Sequence, residues 1–190
     1  MNKARLELET PRLLLRQWKS SDVDGFAKLN ADPIVMENFP APLSYEETAA
    51  SVERIKAFWK EKGFGLYAAE LKNSSSFIGF IGLSSPRWES HFTPCVEIGW
   101  RLAKEFWGNG YAPEGALEVL RFAFDDLKLE EVVSMTSTTN VNSMRVMEKI
   151  GMHRSVADDF DHPTIAEGSP LRRHVLYRLK EHEYRANLAK

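Results

Sequence analysis

With 190 residues, 43% of them hydrophobic and 27% charged, the chain has the length and composition of one globular domain rather than of a disordered or fibrous protein. Its 25 Lys and Arg against 27 Asp and Glu leave a formal charge of −2, which excludes the basic excess of a general nucleic-acid binder. The lone Cys95 rules out an intrachain disulfide or a multi-cysteine metal site, and no apolar run nears the roughly 18 residues of a membrane span, so a cytoplasmic protein without signal peptide or membrane segment is expected.

No internal repeat, low-complexity tract or linker divides residues 1–190, which read as one domain. Arg12 to Trp18 opens after Pro11 as an apolar run of strand length. Ser20 or Ser21 offers an N-cap to a short helix carrying Val23, Phe26 and Leu29, and Asp32-Pro33 stops it. Ser44 and Glu47 have capping-box spacing ahead of Val52, Ile55 and Trp59, with Gly63 at the C-terminal end. Phe64 to Leu71 and Phe77 to Leu83, joined by Lys72-Asn73-Ser74-Ser75-Ser76, predict a hairpin. In the fourth strand, Cys95 to Leu102, Val96, Ile98, Trp100 and Leu102 share one face, leaving Glu97, Gly99 and Arg101 on the other.

Pro113 suits the first turn of a helix whose stripe is Ala116, Leu117, Leu120, Phe124 and Leu127. Val132 to Thr138 is β-branched, and Asn140 caps a helix through Ile150 that Gly151 ends. A strand from Met152 to Asp158, an irregular stretch to Pro170, a strand from Arg172 to Leu179 and a polar tail complete the chain. Strands and helices alternate after a hairpin-rich first half, which predicts a mixed sheet.

Two segments carry chemistry. In Trp107-Gly108-Asn109-Gly110-Tyr111-Ala112-Pro113-Glu114-Gly115-Ala116, small residues lie between a strand and a helix. Successive amides there can curl around an anion that also faces the positive end of the helix dipole; the alternative is a tight loop in which the glycines only supply positive φ. A Walker loop is excluded because Tyr111-Ala112 follows Gly110, and a dinucleotide fingerprint lacks its third glycine at Pro113. In Asn140-Val141-Asn142-Ser143, the Asn can cap a helix while facing an adjoining crevice, and Ser143 points to the same side; a simple N-cap is the other reading.

These segments, with Thr10-Pro11-Arg12-Leu13-Leu14-Leu15-Arg16, Glu97-Ile98-Gly99-Trp100, NVNSMRVMEKIGM and His174-Val175-Leu176-Tyr177, resemble the GCN5-related N-acetyltransferase superfamily. Within it, the chain is similar to the ribosomal-protein N-terminal acetyltransferase-like branch, over roughly residues 8–180. The resemblance implies an α+β fold: a mixed sheet of about seven strands and about four helices that splays after the fourth strand to admit acetyl-CoA. It further implies that Trp100 and Leu102 meet pantetheine through main-chain groups, that the amides of Trp107, Gly108, Asn109, Gly110, Tyr111 and Ala112 hold the diphosphate, and that Asn140 and Ser143 lie beside the pantetheine arm and sulfur. The superfamily loop usually begins with Gln or Arg where this chain has Trp107, so amides must supply most of the phosphate binding.

Acetyl transfer to an amine needs a neutral nucleophile, a polarised thioester and a route for the thiolate. Glu97 is the candidate base; the alternative is a sheet carboxylate paired with Arg101 or a loop amide. Similar proteins place a thiolate-protonating tyrosine where this chain has Met147, so Ser143 is the candidate to orient the sulfur. Asp158-Asp159-Phe160-Asp161-His162 reads as a solvated loop rather than a metal site, with acidity that suits a cationic acceptor. His174 reads as a strand histidine with a base as the alternative, and Cys95 as a small buried hydrophobe. Trp59, Phe64, Trp88 and Phe92, with Phe39 and Tyr45, are candidate walls of an acceptor pocket.

The leading expectation is a metal-free, acetyl-CoA-dependent N-acetyltransferase in which a primary amine, a protein N-terminus or a small molecule, attacks directly in a ternary complex. A monomer or homodimer is expected. The alternatives are a non-catalytic acyl-CoA sensor or partner-binding module, motivated by Met147, and a nucleotide-dependent oxidoreductase.

Overall fold

The structure, a computed structural model, describes residues 7–189. The reading of the chain's first residues as free of a signal peptide falls partly on residues 1–6 and lies outside this span. Among the described residues the elements run β1 (Leu8–Glu9), β2 (Leu13–Arg16), α1 (Asp22–Ala31), α2 (Tyr45–Lys62), β3 (Leu66–Leu71), β4 (Phe77–Ser84), β5 (Glu97–Leu102) and α3 (Tyr111–Arg121). They continue as β6 (Glu131–Ser137), α4 (Val141–Lys149), β7 (His153–Arg154), β8 (Phe160–Asp161), β9 (Arg173–Lys180) and α5 (Glu181–Leu188). One mixed sheet is ordered β1-β2-β3-β4-β5-β6-β9-β7, with β8 also on β9; among the described residues only the β5–β6 pair is parallel. The α+β expectation holds, with nine strands among the described residues rather than about seven and five helices rather than about four.

The additions are explained by their size. β1 and β8 have two residues each, too few for a period, and α5 buries only Tyr184, so it reads as polar throughout. The strand expected over Met152 to Asp158 shrinks to His153–Arg154 and is followed by a 3-10 turn at Val156–Asp158. β5 begins at Glu97 rather than Cys95.

Two apolar layers sandwich the sheet. The main core sets Val119, Leu120 and Phe122 against Leu13, Leu15, Ile81 and Ile98, with Val96 and Trp100 packed on its margin. The second joins Trp18, Phe26, Leu29, Val35, Val52 and Ala68 beneath α1 and α2. Ser21 takes the N-cap position of α1 but makes no capping bond; the Asp22 carboxylate instead accepts from the Lys19 amide at 2.7 Å and from the buried Arg16 guanidinium. In α2 the expected box forms: Ser44 Oγ accepts from the Glu47 amide at 3.1 Å while Glu47 accepts from the Ser44 amide at 2.7 Å, and Gly63 closes the helix at φ 75°. Ser44→Ala is expected to remove about 1 kcal/mol and lower the thermal midpoint by roughly 2–4 °C, as read by calorimetry.

Candidate active site

The sheet opens at its parallel junction. β5 pairs with β4 along its whole length, from Glu97 opposite Ser84 to Leu102 opposite Gly79, but with β6 only at Glu97 and Val133. At that pair the Val133 amide donates to the Val96 carbonyl at 2.9 Å, and one residue further on the buried Ser134 hydroxyl donates to the Ile98 carbonyl at 2.9 Å. Main-chain groups alternate in direction along a strand, so those of Trp100 and Leu102 face the same edge, past the point where β6 diverges. The Leu102 carbonyl accepts from the Trp107 indole at 2.8 Å, leaving the Trp100 amide and carbonyl and the Leu102 amide turned to the gap. A cavity of about 700 Å³ fills it.

The loop after β5 closes one end. Gly108 and Gly110 both adopt left-handed conformations, φ 76° and 79°, and α3 starts immediately after. A Cβ at either residue would be strained, so positive φ is a requirement here as well as an anion-binding geometry. The amides of residues 108–112 donate to no acceptor among the described residues. Free amides curled over a helix N-terminus suit a diphosphate. Gly108, Gly110, Tyr111 and Ala112 border the cavity with Trp107; Asn109 does not, its carbonyl accepting from Arg12 Nη1 at 2.9 Å.

That loop is braced from the start of the chain. Glu114, in the first turn of α3, accepts from the Arg12 amide (2.9 Å), Arg12 Nε (2.6 Å) and Thr10 Oγ1 (2.5 Å), and the Arg12 guanidinium lies 4.5 Å from the Tyr111 ring centre. Burial opposes ionisation of Glu114, but these donors from Thr10 and Arg12 outweigh it and hold the carboxyl below its usual range. Arg12 and Glu114 thus brace the loop through a contact that their separate motifs did not reveal.

Across the gap, Asn140 caps α4: Oδ1 accepts from the Ser143 amide at 3.1 Å and Nδ2 donates to Thr136 Oγ1 at 2.8 Å. The simple cap is thus real, and Asn140 nevertheless borders the cavity. Ser143 lies in the same wall, half-buried, its hydroxyl making no hydrogen bond among the described residues. Met147 is buried in the main core at the cavity's edge and has no proton to give.

Glu97 stands on the opposite wall, on the β5 face that also carries Arg101. It does not pair with Arg101. The Ser84 hydroxyl instead donates to its Oε2 at 3.3 Å. Partial burial in the cavity wall raises the carboxyl to about 7, with the Ser84 bond pulling the other way. A carboxylate near 7 can take a proton at neutral pH and give it up again. His174 also borders the cavity; burial lowers it to about 4, and its Nδ1 lies 3.2 Å from the Arg172 carbonyl, so the ring is neutral there.

Other expectations sort by position. Trp88 and Phe39 line the cavity, whereas Trp59 packs on Tyr67 in the core, Phe64 on Phe58, and the exposed Tyr45 hydroxyl donates to Asp24. Phe92 packs behind Trp88 and Phe160. Cys95 is half-buried beside this cluster, its thiol pushed up to about 11 by burial. The acidic segment does not present free carboxylates: Asp158 accepts from Arg178, Asp159 from Arg154 and Asp161 from Arg173. This removes the physical basis for its attracting a cationic acceptor.

Comparison with known proteins agrees with this geometry. The family model described as an acetyltransferase (GNAT) domain matches residues 12–153. The uncharacterized protein YkkB of Bacillus subtilis is 33% identical over 153 residues, which are 80% of this chain and 88% of that protein. The FsC-acetyl coenzyme A-N(2)-transacetylase of Aspergillus fumigatus is 35% identical over 158 residues, 79% of this chain and 66% of that one. A crystal structure of a GNAT-family acetyltransferase from Bacillus anthracis superposes with a TM-score of 0.77 at 25% identity, covering 93% of this chain and 99% of its own. The forked sheet, the amide-lined loop at its mouth and a match spanning most of the chain make it a member of the GNAT acetyltransferase family.

Proposed function

We propose that the protein is an acetyl-CoA-dependent N-acetyltransferase whose acceptor is a primary amine, attacking directly in a ternary complex. The observation that carries this reading is a single cavity joining the free amides of the 108–112 loop to the Glu97 carboxyl. The name of the fungal relative, which pairs acetyl coenzyme A with an N(2) acceptor, supports nitrogen as the nucleophile. The protein N-terminal α-amine implied by the ribosomal-protein branch and a small-molecule amine are both candidate acceptors.

Bound acetyl-CoA supplies an activated acyl group and a thiolate leaving group. The loop amides fix its diphosphate, and the Trp100 and Leu102 edge of β5 holds the pantetheine chain as neighbouring strands hold each other. Glu97 accepts the proton released as the amine nitrogen bonds to the carbonyl carbon and the carbon–sulfur bond breaks. Peptide α-amines titrate near roughly 7.7–8.0, so a base near 7 is matched to them better than to a lysine near 10.4.

Ser143 orients the departing sulfur through its free hydroxyl. Ser143→Ala is expected to lower kcat by about three- to tenfold, the worth of one hydrogen bond, while acetyl-CoA affinity by calorimetry stays near wild type. An unaltered kcat with chemistry limiting removes Ser143 from the mechanism. For the whole reading, the test is release of CoA thiol and mass-detected N-acetyl product with amine and N-terminal peptide acceptors. Saturable CoA binding with no transfer to any acceptor favours the non-catalytic sensor that Met147 suggests.

A further inference from the structure

The cavity contains a positive charge that folding leaves without a counter-ion. Arg101 leaves β5 on the Glu97 face, toward α1, and lines the cavity. Its guanidinium sits 4.0 Å from the Phe39 ring centre and 5.6 Å from that of Phe80. Nη1 donates to Asn30 Oδ1 at 2.7 Å; Asn30 is fully buried, and its Nδ2 donates to Thr48 Oγ1 at 3.2 Å. The head group is therefore held by two rings and a buried hydrogen-bond chain.

Glu37 and Glu97 line the same cavity, but neither pairs with the guanidinium. Among the described residues no carboxylate forms an ion pair with Arg101, and Nε is buried without a partner. Burial lowers the guanidinium to about 10, which leaves it charged at neutral pH. A desolvated, unpaired cation opposes folding, and a ligand anion is the natural compensation. The anion has to reach the α1 side of β5. The free amides 108–112 belong to the α3 side, where Leu102 joins the main core, so the diphosphate is already provided for elsewhere.

We infer that the acceptor is an amine that also bears a carboxylate, and that Arg101 recognises this carboxylate and thereby sets acceptor specificity. The inference rests on the proposed acetyltransferase reading and narrows its acceptor. One guanidinium balances one carboxylate, whereas a phosphate dianion would keep excess charge in a partly buried wall. The rings of Phe39 and Phe80 keep the group extended into the cavity and strengthen its hold on the charge.

The test compares wild type, Arg101→Gln and Arg101→Lys on free amino acids, their carboxamides and simple alkylamines. Turnover is followed by thiol release, and a second arm measures binding of N-acetyl amino acids and N-acetyl amino-acid amides to CoA-loaded protein by calorimetry. Wild type is expected to prefer carboxylates in both arms. Arg101→Gln should lower kcat/KM for them on the order of tenfold to a hundredfold, chiefly through KM, with amides and CoA affinity unaffected, and Arg101→Lys should restore part of the loss. Equal use of carboxylates and amides by wild type, absence of carboxylate-dependent binding, or loss of CoA affinity in Arg101→Gln overturns the inference. Transfer without carboxylate preference spares the acetyltransferase reading; carboxylate-dependent binding without transfer sinks that reading and spares Arg101.

Discussion

Glu97→Gln is expected to lower kcat/KM for acetyl transfer by about 10²–10⁴, the usual contribution of a positioned base. The amide keeps size and can still accept from Ser84 Oγ, so packing at the β4–β5 pair is retained. The pH profile separates a catalytic from a structural role. The ionised form is the base, so the wild-type rate should rise with pH through about 7, where the Glu97 carboxyl titrates. The variant should show only the later rise caused by the acceptor's own deprotonation, and should stay below wild type at high pH, because the proton shed as nitrogen bonds to carbon still lacks its acceptor.

Stability gives an independent check on the same carboxyl. Its folded value is raised, so below its ordinary range it is neutral in both folded and unfolded chains, and above about 7 it is charged in both. Burial penalises only the folded charge, hence wild-type stability falls as pH climbs through that window. Glu97→Gln should therefore melt higher than wild type at pH 8 and close to it at pH 4, below the ordinary carboxylate range. A variant that loses activity but melts lower at both pH values would point to misfolding instead.

Gly110→Glu is expected to weaken acetyl-CoA binding by about a thousandfold while the protein stays folded. A unit charge about 4 Å from a phosphate charge, at an effective dielectric near 20, costs about 4 kcal/mol. The local strain is smaller: a Cβ there meets only the far end of Arg12 at 3.4 Å, and a left-handed non-glycine residue costs roughly 1–2 kcal/mol. Gly110→Ala supplies the strain without the charge and should retain much of the affinity. Calorimetric titration of CoA into the two variants decides the matter, and full affinity in Gly110→Glu would remove the diphosphate from this loop.

What the sequence disclosed follows from how far each signal reaches along the chain. The Ser44–Glu47 box and Gly63 are local, so α2 was legible to the residue. The alternation in Val96, Ile98, Trp100 and Leu102 is also local, and it assigned the core-facing side of β5. Arg101 was visible as a charge on the other face, but its lack of a counter-ion depends on what α1 and the segment around Phe39 bring to it. Glu114 was visible inside a loop motif, yet its partners Thr10 and Arg12 lie about a hundred residues earlier. The acidity of Asp158, Asp159 and Asp161 misled because arginines on β7 and β9 neutralise it, which composition over a short window does not register.

The hydroxyl of Thr10 has a practical bearing on how the enzyme can be trimmed. The family match starts at residue 12, but the contact that tethers Glu114 begins at Thr10, and Leu8–Glu9 zip onto β2 just before it. A protein whose first residue is the matched boundary would keep every residue proposed for the chemistry and yet release one guy-rope of the loop ahead of α3. A shortened version that folds but grips CoA poorly would therefore be a predictable casualty of tidy domain borders.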